Sequence, residues 1–540
     1  MRCAHAQAPA WQTAVALNGA ASTVKATTTD ANGDVYVAGP FTGTVGFGTA
    51  SLTSAGGVDV FVAKWSRASA SFVWAQRAGG TGDESATAVA VSSAGVYVAG
   101  DFAGTMTFGG HSISSSGLSD GFVAKLTDGG NGAGWEWAVP LGGADSDQAY
   151  ALAVSDASVY VAGVFNSATL QLGAFALANR STNGATADGF VAKLTDGGLA
   201  GTVAWVQQVG GSGSDFVTAL AATGSTVYLT GQFSNAVAFG NTTLQGISAG
   251  AFVAKLADAG PSSQFAWAIQ PSGLVIANAV AVAGSNVYVA GRFVFRVAFG
   301  SASFTSTGNL NGYDAFVTKI TDVGGTGSFA WTAVAGGPFS DYAAGVATSG
   351  ANVYVTGGFS NTCAFGNTSL TNVGNNDNIF VTKLTDAGST GSFAWAMPVG
   401  GAGPQLATSV AVDAGRRVYV GGDATLPVAF GSILLPATAG ARVGFLASFA
   451  DATTTGTGPG LAAARLAVYP NPAHGRASVQ LPPGAGPATL TVLDALGRPV
   501  RTQTTTNPSA DLDLTGLAPG LYAVRVAAGG SSAIQRLVVE

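Results

Sequence analysis

VYVAG, residues 35–39, returns unchanged at 96–100, 159–163 and 287–291, then as VYLTG at 227–231, VYVTG at 353–357 and VYVGG at 418–422. The seven copies stand 60 to 68 residues apart. A period of this size marks a repeat architecture in which each unit is one supersecondary element. Other landmarks keep step with it. FVAK or FVTK begins at Phe61, Phe122, Phe190, Phe252, Phe316 and Phe380, with FLAS at Phe445, and a tryptophan recurs at Trp11, Trp74, Trp137, Trp205, Trp267, Trp331 and Trp395. In the unit 83–143, ATAVAV, VYVAGDF, DGFVAKL and WAVPLGG are short alternating segments bounded by Gly, Ser or Asp, the signature of strands. TFGGHSISSSG, between the second and third, reads as an extra hairpin.

The ends of the repeat decide how the units assemble. The first landmark in the chain is a last-strand tryptophan, Trp11, and the final one is the third-strand Phe445. WQTAVAL thus supplies the strand that the unit at 405–450 lacks. Closing a ring in this way removes the strand edges that a linear array would expose. The pattern predicts an all-β chain, a seven-bladed β-propeller closed by its N-terminal strand, followed by a small Ig-like β-sandwich.

Composition agrees with many short strands and narrows the partners. Only 9% of the 540 residues are charged, against ~25% in an average soluble domain. Gly numbers 79, and the net charge is −6, which disfavours nucleic acid. No run of ~18 apolar residues predicts a membrane span. Near the N-terminus, Ala4-His5-Ala6 fits the A-x-A pattern of a signal-peptidase site, with no apolar stretch before it. Residues 1–7 are therefore expected to be the remnant of a leader or a disordered tail, which would leave Cys363 the single mature thiol.

The repeat resembles the bacterial SBBP β-propeller family, whose units carry AVAV, VYVAG and FVAK-like strings, over roughly residues 10–450. That resemblance implies architecture and no particular reaction. Repetition ends after Ala450, and 452–463 reads as a flexible linker. Residues 464–540 carry six Arg against three Asp and one Glu, and contain seven strand-like segments. YPNP (Tyr469, Pro470, Asn471, Pro472), LDALGRPV with Gly497, LTGLAPGLYAVRV with Gly520 and Tyr522, and the closing RLVVE resemble a type A sorting domain of the type IX secretion system. The resemblance implies export by that machinery, removal of the domain, and release or attachment to surface lipopolysaccharide of a Gram-negative bacterium. The terminal Glu540 departs from a family that often ends on a basic residue. A small carbohydrate-binding sandwich is the competing reading.

Chemistry-bearing side chains are sparse. His111 and His474 lie in different segments and suggest neither a triad nor a zinc site. Cys363 fills a slot held by Val237, Val297, Val428 and Met106 in sister units, which predicts a small buried hydrophobe. Lys125, Lys193, Lys319 and Lys383 are each followed three residues later by Asp, which predicts local ion pairs. Asp83, Asp145, Asp215 and Asp341 follow Gly-Gly turns and read as turn-fixing residues, with a ring of cation ligands as the alternative. Calcium is the one cofactor with candidates: Asp30, Asn32 and Asp34 in a 1, 3, 5 spacing without the later Glu, and Asp377 in NVGNNDN.

The more informative residues break the repeat, because the scaffold does not require them. Arg292, Phe295 and Arg296 stand where sister units are small or polar, and Trp135 adds an aromatic beside Trp137. Arg and aromatics favour recognition surfaces for sugars or proteins. No catalytic constellation is recognisable. The expectation is an exported surface or secreted platform that binds a polysaccharide or protein without catalysis. The alternatives are a polysaccharide-active enzyme with its site in the channel, and a structural surface component.

Overall fold

The computed structural model describes residues 7–180, 186–246, 249–308, 312–372, 376–436, 442–451, 467–481, 488–494, 498–507, 509–528 and 531–540. All regular structure among them is β-strand. The chain divides into two compact units, Met1–Asp451 and Ala452–Glu540. The linker expected at 452–463 lies outside the described residues.

In the first unit each repeat forms one antiparallel four-stranded sheet in sequence order. Sheet two shows the plan: Glu84–Ser92, Gly95–Phe102, Asp120–Asp128 and Ala133–Leu141. VYVAG builds the second strand because its branched and aromatic residues fill a surface buried on both faces, where Val96, Tyr97, Val98 and Ala99 have no exposure. The extra hairpin, Thr105–Phe108 with His111–Ser114, reaches back and pairs with the fourth strand of sheet one. Sheet seven takes Gln405–Val412, Arg417–Thr425 and Arg442–Ala450, and its fourth strand is Thr13–Ala16, with Thr13 opposite Ser448 and Ala16 opposite Phe445. Trp11 packs edge-on against Phe430 and Phe449 there. Cys363 is fully buried beside Phe365 and Leu370, in the apolar slot its repeat position predicts.

The first strands begin at Ala26, Glu84, Asp147, Asp215, Ser272, Asp341 and Gln405. Each packs against the first strand of the next sheet, and that of sheet seven packs against that of sheet one. In six of them a bulge interrupts the ladder, at Thr87, Tyr150, Thr218, Asn278, Ala344 and Thr408. A bulge re-aims the side chain it carries. Thr87 thereby donates to the Ala149 carbonyl at 2.7 Å, Thr218 to Ala277 at 2.8 Å, Asn278 to Ala343 at 2.8 Å, and Thr408 to Val24.

A second linkage joins neighbouring sheets through one carboxylate. Asp196, at the end of the third strand of sheet three, accepts Lys125 Nζ at 2.8 Å, the Tyr97 hydroxyl at 2.6 Å and Trp137 Nε1 at 3.1 Å, all from sheet two. Gly198 N adds a fourth donor at 2.9 Å. The same set recurs at Asp128, Asp258, Asp322 and Asp386, while Asp451 accepts Lys383 and Tyr354. The expected local pairing of each Lys with the Asp three residues on is corrected here. Residues an odd number apart on a strand face opposite sides, so each Lys bonds the carboxylate of the following sheet. Burial alone would raise these carboxyls, but bonds from Lys, Tyr and Trp outweigh it and hold Asp128, Asp196, Asp258, Asp322 and Asp386 below their usual range.

Where sheet seven meets sheet one the clasp is rebuilt with charges exchanged. Ser448 takes the Lys position of sheet seven, and Arg67 takes the Asp position of sheet one. Arg67 pairs instead with Asp413 of sheet seven at 3.3 Å, and the Tyr419 hydroxyl donates to the Gly33 carbonyl at 3.2 Å.

The second unit is described by itself. Ala467–Tyr469, Arg476–Gln480 and Ser509–Asp513 form one sheet; Pro499–Thr505, Ala488–Leu493, Gly520–Ala528 and Ser531–Val539 form another. Val479, Leu490, Val492, Leu512, Val524, Val526 and Leu537 make one shared core, as a small β-sandwich requires.

Asp258→Ala strands Lys193, Tyr160 and Trp205 between sheets and is expected to cost about 3–5 kcal/mol, as for a broken buried pair. Exposed Asp145→Ala should stay within about 0.5 kcal/mol. Equal urea midpoints for the two variants would show that the clasp contributes nothing.

Candidate functional site

The first strands of all seven sheets line one cavity of ≈ 260 Å³. At the end where those strands begin, one repeat position loses its constancy. After the final Gly of VYVAG, and before a Phe in six copies and Ala424 in the seventh, x is Pro40, Asp101, Val164, Gln232, Arg292, Gly358 and Asp423, a different residue type in nearly every sheet. The ladder sets Asp101 opposite Ser85, Gln232 opposite Phe216, Arg292 opposite Ile276 and Gly358 opposite Tyr342. Each partner stands two residues before the bulge of its first strand, so x lies toward the end where those strands begin.

The side chains meet across sheets. The Arg292 guanidinium lies 4.8 Å from the Tyr313 ring centroid and 5.9 Å from that of Tyr342, on the next sheet. Tyr342 has room because Gly358 beside it carries no Cβ, which would collide with the ring. Asp423 pairs with Arg442 and accepts the Thr23 hydroxyl at 2.9 Å. Tyr150 donates to Gln148 at 2.5 Å. Burial pushes Asp101 up to about 6 against the opposing pull of Lys25. Burial first, and then Asp377, pushes the Tyr342 phenol up to about 12. The arrangement gathers cation, carboxyl, amide and aromatic groups at the end of the sheets where the first strands begin.

The residues singled out in the sequence scatter. Arg292 stands at this end. Phe295, 54% exposed, and Arg296 belong to the adjoining hairpin, where Arg296 pairs with Thr305. Trp135 packs edge-on against Phe108, with its ring N–H on the Arg77 carbonyl at 3.1 Å, so it serves packing between sheets. Asp30 accepts the backbone N–H groups of Asn32 and Asp34 at 2.9 Å, and Asp34 meets Lys64 at 3.1 Å, so these residues build a turn and an ion pair. Asp30 and Asn32 also line a cavity of ≈ 480 Å³ with Tyr36 and Asp128. Asp377 is exposed and accepts the Ser360 hydroxyl. The sequence reading passed over Asp101, Gln232, Tyr342 and Asp423, although aligning x across the seven copies would have found all but Tyr342.

A second set of carboxyls lies between sheets. Asp59 with Glu84, Asp120 with Asp147, Asp188 with Asp215, and Asp314 with Asp341 are buried and electrostatically coupled. This corrects the expected register: the first-strand members are Glu84 and Asp147, while Asp83 and Asp145 are exposed turn residues. It also explains the Gly-Gly pairs, since a Cβ at Gly79, Gly142, Gly210 or Gly336 would strike the carboxyl of Asp59, Asp120, Asp188 or Asp314. Burial, with the facing carboxylate, pushes Glu84 and Asp215 up to about 7 and Asp341 up to about 8. The equivalent positions of sheets six and seven hold the amides Asn378 and Gln405. Amides there imitate a carboxyl pair that keeps one proton.

In the C-terminal unit the quoted motifs meet on one strand. Asn471 donates to the Arg536 carbonyl at 2.8 Å and accepts Val538 N at 2.9 Å. Tyr469–Pro470 and Asn471–Pro472 are cis, and Gly520 and Tyr522 pair with Val539 and Leu537. The Tyr522 hydroxyl donates to the Ala518 carbonyl at 2.9 Å. Gly497 lies outside the described residues.

Residues 467–540 match the family model of the secretion system C-terminal sorting domain. The chain is accordingly a secreted or outer-surface-attached protein, addressed to the type IX secretion machinery. No curated protein sequence matches it. Among solved structures it is similar to PorZ, a surface component of the type IX secretion system of Porphyromonas gingivalis, at 13% identity over 96% of this chain and 82% of that one, TM-score 0.17. It is also similar to a quinohemoprotein alcohol dehydrogenase from Comamonas testosteroni, at 12% identity over 83% and 78% of the two chains, TM-score 0.35. A glycoside hydrolase of family 32 from Bifidobacterium adolescentis matches at 10% identity over 98% and 95%, TM-score 0.24. Similarity at these scores does not define a shared fold.

A carboxyl whose folded pKa is raised contributes its stability in full below the unfolded value near 4 and loses it as pH rises through the folded value. For these pairs the loss ends near 7 to 8. Thermal midpoints should therefore fall by several degrees from about pH 5 to about pH 8.5. Asp341→Asn should flatten that fall, and an unchanged slope would remove the pair from the explanation.

Proposed function

We propose that the seven sheets are the blades of a closed SBBP-type β-propeller over residues 8–451, and that the varied end of its channel is a non-catalytic binding surface for an extracellular polysaccharide. The observation that carries the reading is the x position. A scaffold that repeats its sheet seven times and its clasp six times varies its residues where the channel opens. Packing does not ask for Asp101, Gln232 and Arg292 in turn; recognition of an asymmetric ligand does. Aromatic faces beside amide, carboxyl and guanidinium groups suit a sugar polymer, whose rings offer both an apolar face and a belt of hydroxyls.

Delivery follows from the C-terminal unit. Residues 464–540 act as the export signal, and the propeller is then released or attached to surface lipopolysaccharide. Asn471 pins the last strand, so it holds the shape that the machinery reads. One observation favours a second reading, an enzyme acting on the same polymer. Asp101, a carboxyl raised to about 6 beside Lys25, is the kind of group that serves as a general acid.

The purified chain on a glycan array, with calcium and with EDTA, should show saturable binding that the double variant Asp101→Ala/Arg292→Ala reduces at least about tenfold, a loss of ~1.4 kcal/mol. Shortening of the bound glycan would replace binding by catalysis, and undiminished binding by the double variant would move the site elsewhere. Asn471→Ala should retain the protein in the periplasm, read by cell fractionation; normal export would separate this contact from sorting.

A further inference from the structure

The cations at this end have unequal fates. Arg442 is neutralised by Asp423. Arg292 has no carboxylate within ion-pair distance among the described residues, and its Nε is buried without a hydrogen-bond partner. Its plane is held by the rings of Tyr313 and Tyr342. Lys25, exposed just before the first strand of sheet one, likewise makes no ion pair among the described residues and acts on Asp101 and Asp423 only through space. An arginine stacked on aromatics and lacking an internal partner keeps its planar fork of donors for a planar anion. Elsewhere in the unit the clasp lysines and Arg67, Arg77 and Arg442 are each paired with a carboxylate.

We infer that Arg292, framed by Tyr313 and Tyr342, is a receptor for the carboxylate of an acidic sugar, making the ligand a uronic-acid-containing saccharide. The inference rests on the channel-mouth reading and narrows it. A carboxylate matches two guanidinium N–H groups side by side, whereas a neutral hydroxyl takes one. The phenols of Tyr313 and Tyr342 border the same place and give the sugar ring an aromatic wall. Lys25 adds a second positive point on the opposite part of the seven-sheet order. A polymer with repeated carboxylates meets both, and a monomer meets one.

Titration calorimetry of the full chain with tetragalacturonate, neutral galactotetraose, dextran sulfate and inorganic phosphate tests this. Tetragalacturonate should bind, with galactotetraose at least about tenfold weaker, a difference of ~1.4 kcal/mol. Arg292→Lys, which keeps the charge and loses the fork, and Arg292→Gln should each weaken tetragalacturonate at least about tenfold, with thermal midpoints confirming that the variants fold. Equal binding of the neutral and acidic sugars, unaffected by Arg292→Gln, would overturn the carboxylate receptor and leave the saccharide surface standing. Sulfate or phosphate bound as well as tetragalacturonate would overturn the carboxylate in favour of an unselective anion site. Binding of none of the four by the folded chain would sink both this inference and the saccharide reading on which it rests.

Discussion

The first unit depends on a carboxylate that one sheet lends to the sheet before it. Asp196 has four lone-pair directions and four donors, from Lys125, Tyr97, Trp137 and Gly198, so nothing on it is left for water. Desolvating a charge is expensive, and only a complete set of partners offsets it. That condition fixes geometry. Lys, Tyr and Trp must come from the third, second and fourth strands of one sheet, and the Asp from the next. Each clasp therefore demands a full sheet on one side and a neighbour at a set distance on the other. Six of them in series specify the succession of sheets more strictly than apolar packing alone, which tolerates sliding.

The seventh junction shows the same constraint met by other means. The strand that completes sheet seven comes from the opposite end of the chain, and the junction beyond it, between sheets seven and one, has no third-strand Lys–Asp pair. Arg67 with Asp413 reverses the direction of charge across the joint. Two kinds of buried carboxyl then coexist. The saturated clasp aspartates are ionised and lose their contribution only in acid. The facing pairs such as Asp314 and Asp341 are pushed by burial toward keeping a proton, so their contribution fades as pH rises toward neutrality. The two kinds therefore lose their contributions in opposite directions of pH.

The sheet plan was legible in the sequence because the repeat writes each strand seven times, and the terminal exchange of Trp11 and Phe445 identified the strand that sheet seven borrows. The Lys–Asp pairing was misread because three residues of separation is a neighbourly distance on a helix and an opposed one on a strand. The facing carboxyls were misregistered because Asp83 and Asp145 were grouped with Asp215 and Asp341; the fourth residue after each Gly-Gly aligns Glu84, Asp147, Asp215, Asp341 and Gln405. At the candidate site, Arg292 stood out by size alone. Asp101 and Gln232 did not, because each is ordinary until set against its six counterparts. Tyr342 was not recoverable from its own copy, since its value lies in a ring laid over Gly358 and under an arginine from another sheet.

Variation and repetition are segregated by the same geometry. Along VYVAGxF the residues before x sit between sheets, where a change in one copy meets a clasp, a neighbouring core or a close backbone. Gly100 and its equivalents abut the carbonyl of the adjacent strand, leaving no space for a side chain. At x the sheets diverge from the cavity's end and the next first strand is only beginning, so a side chain reaches another sheet without being enclosed by it. Arg292 on Tyr342 and Asp423 on Thr23 are contacts of that kind. At x the copies differ and still touch each other, and Arg292 stands there with its Nε unpaired among the described residues.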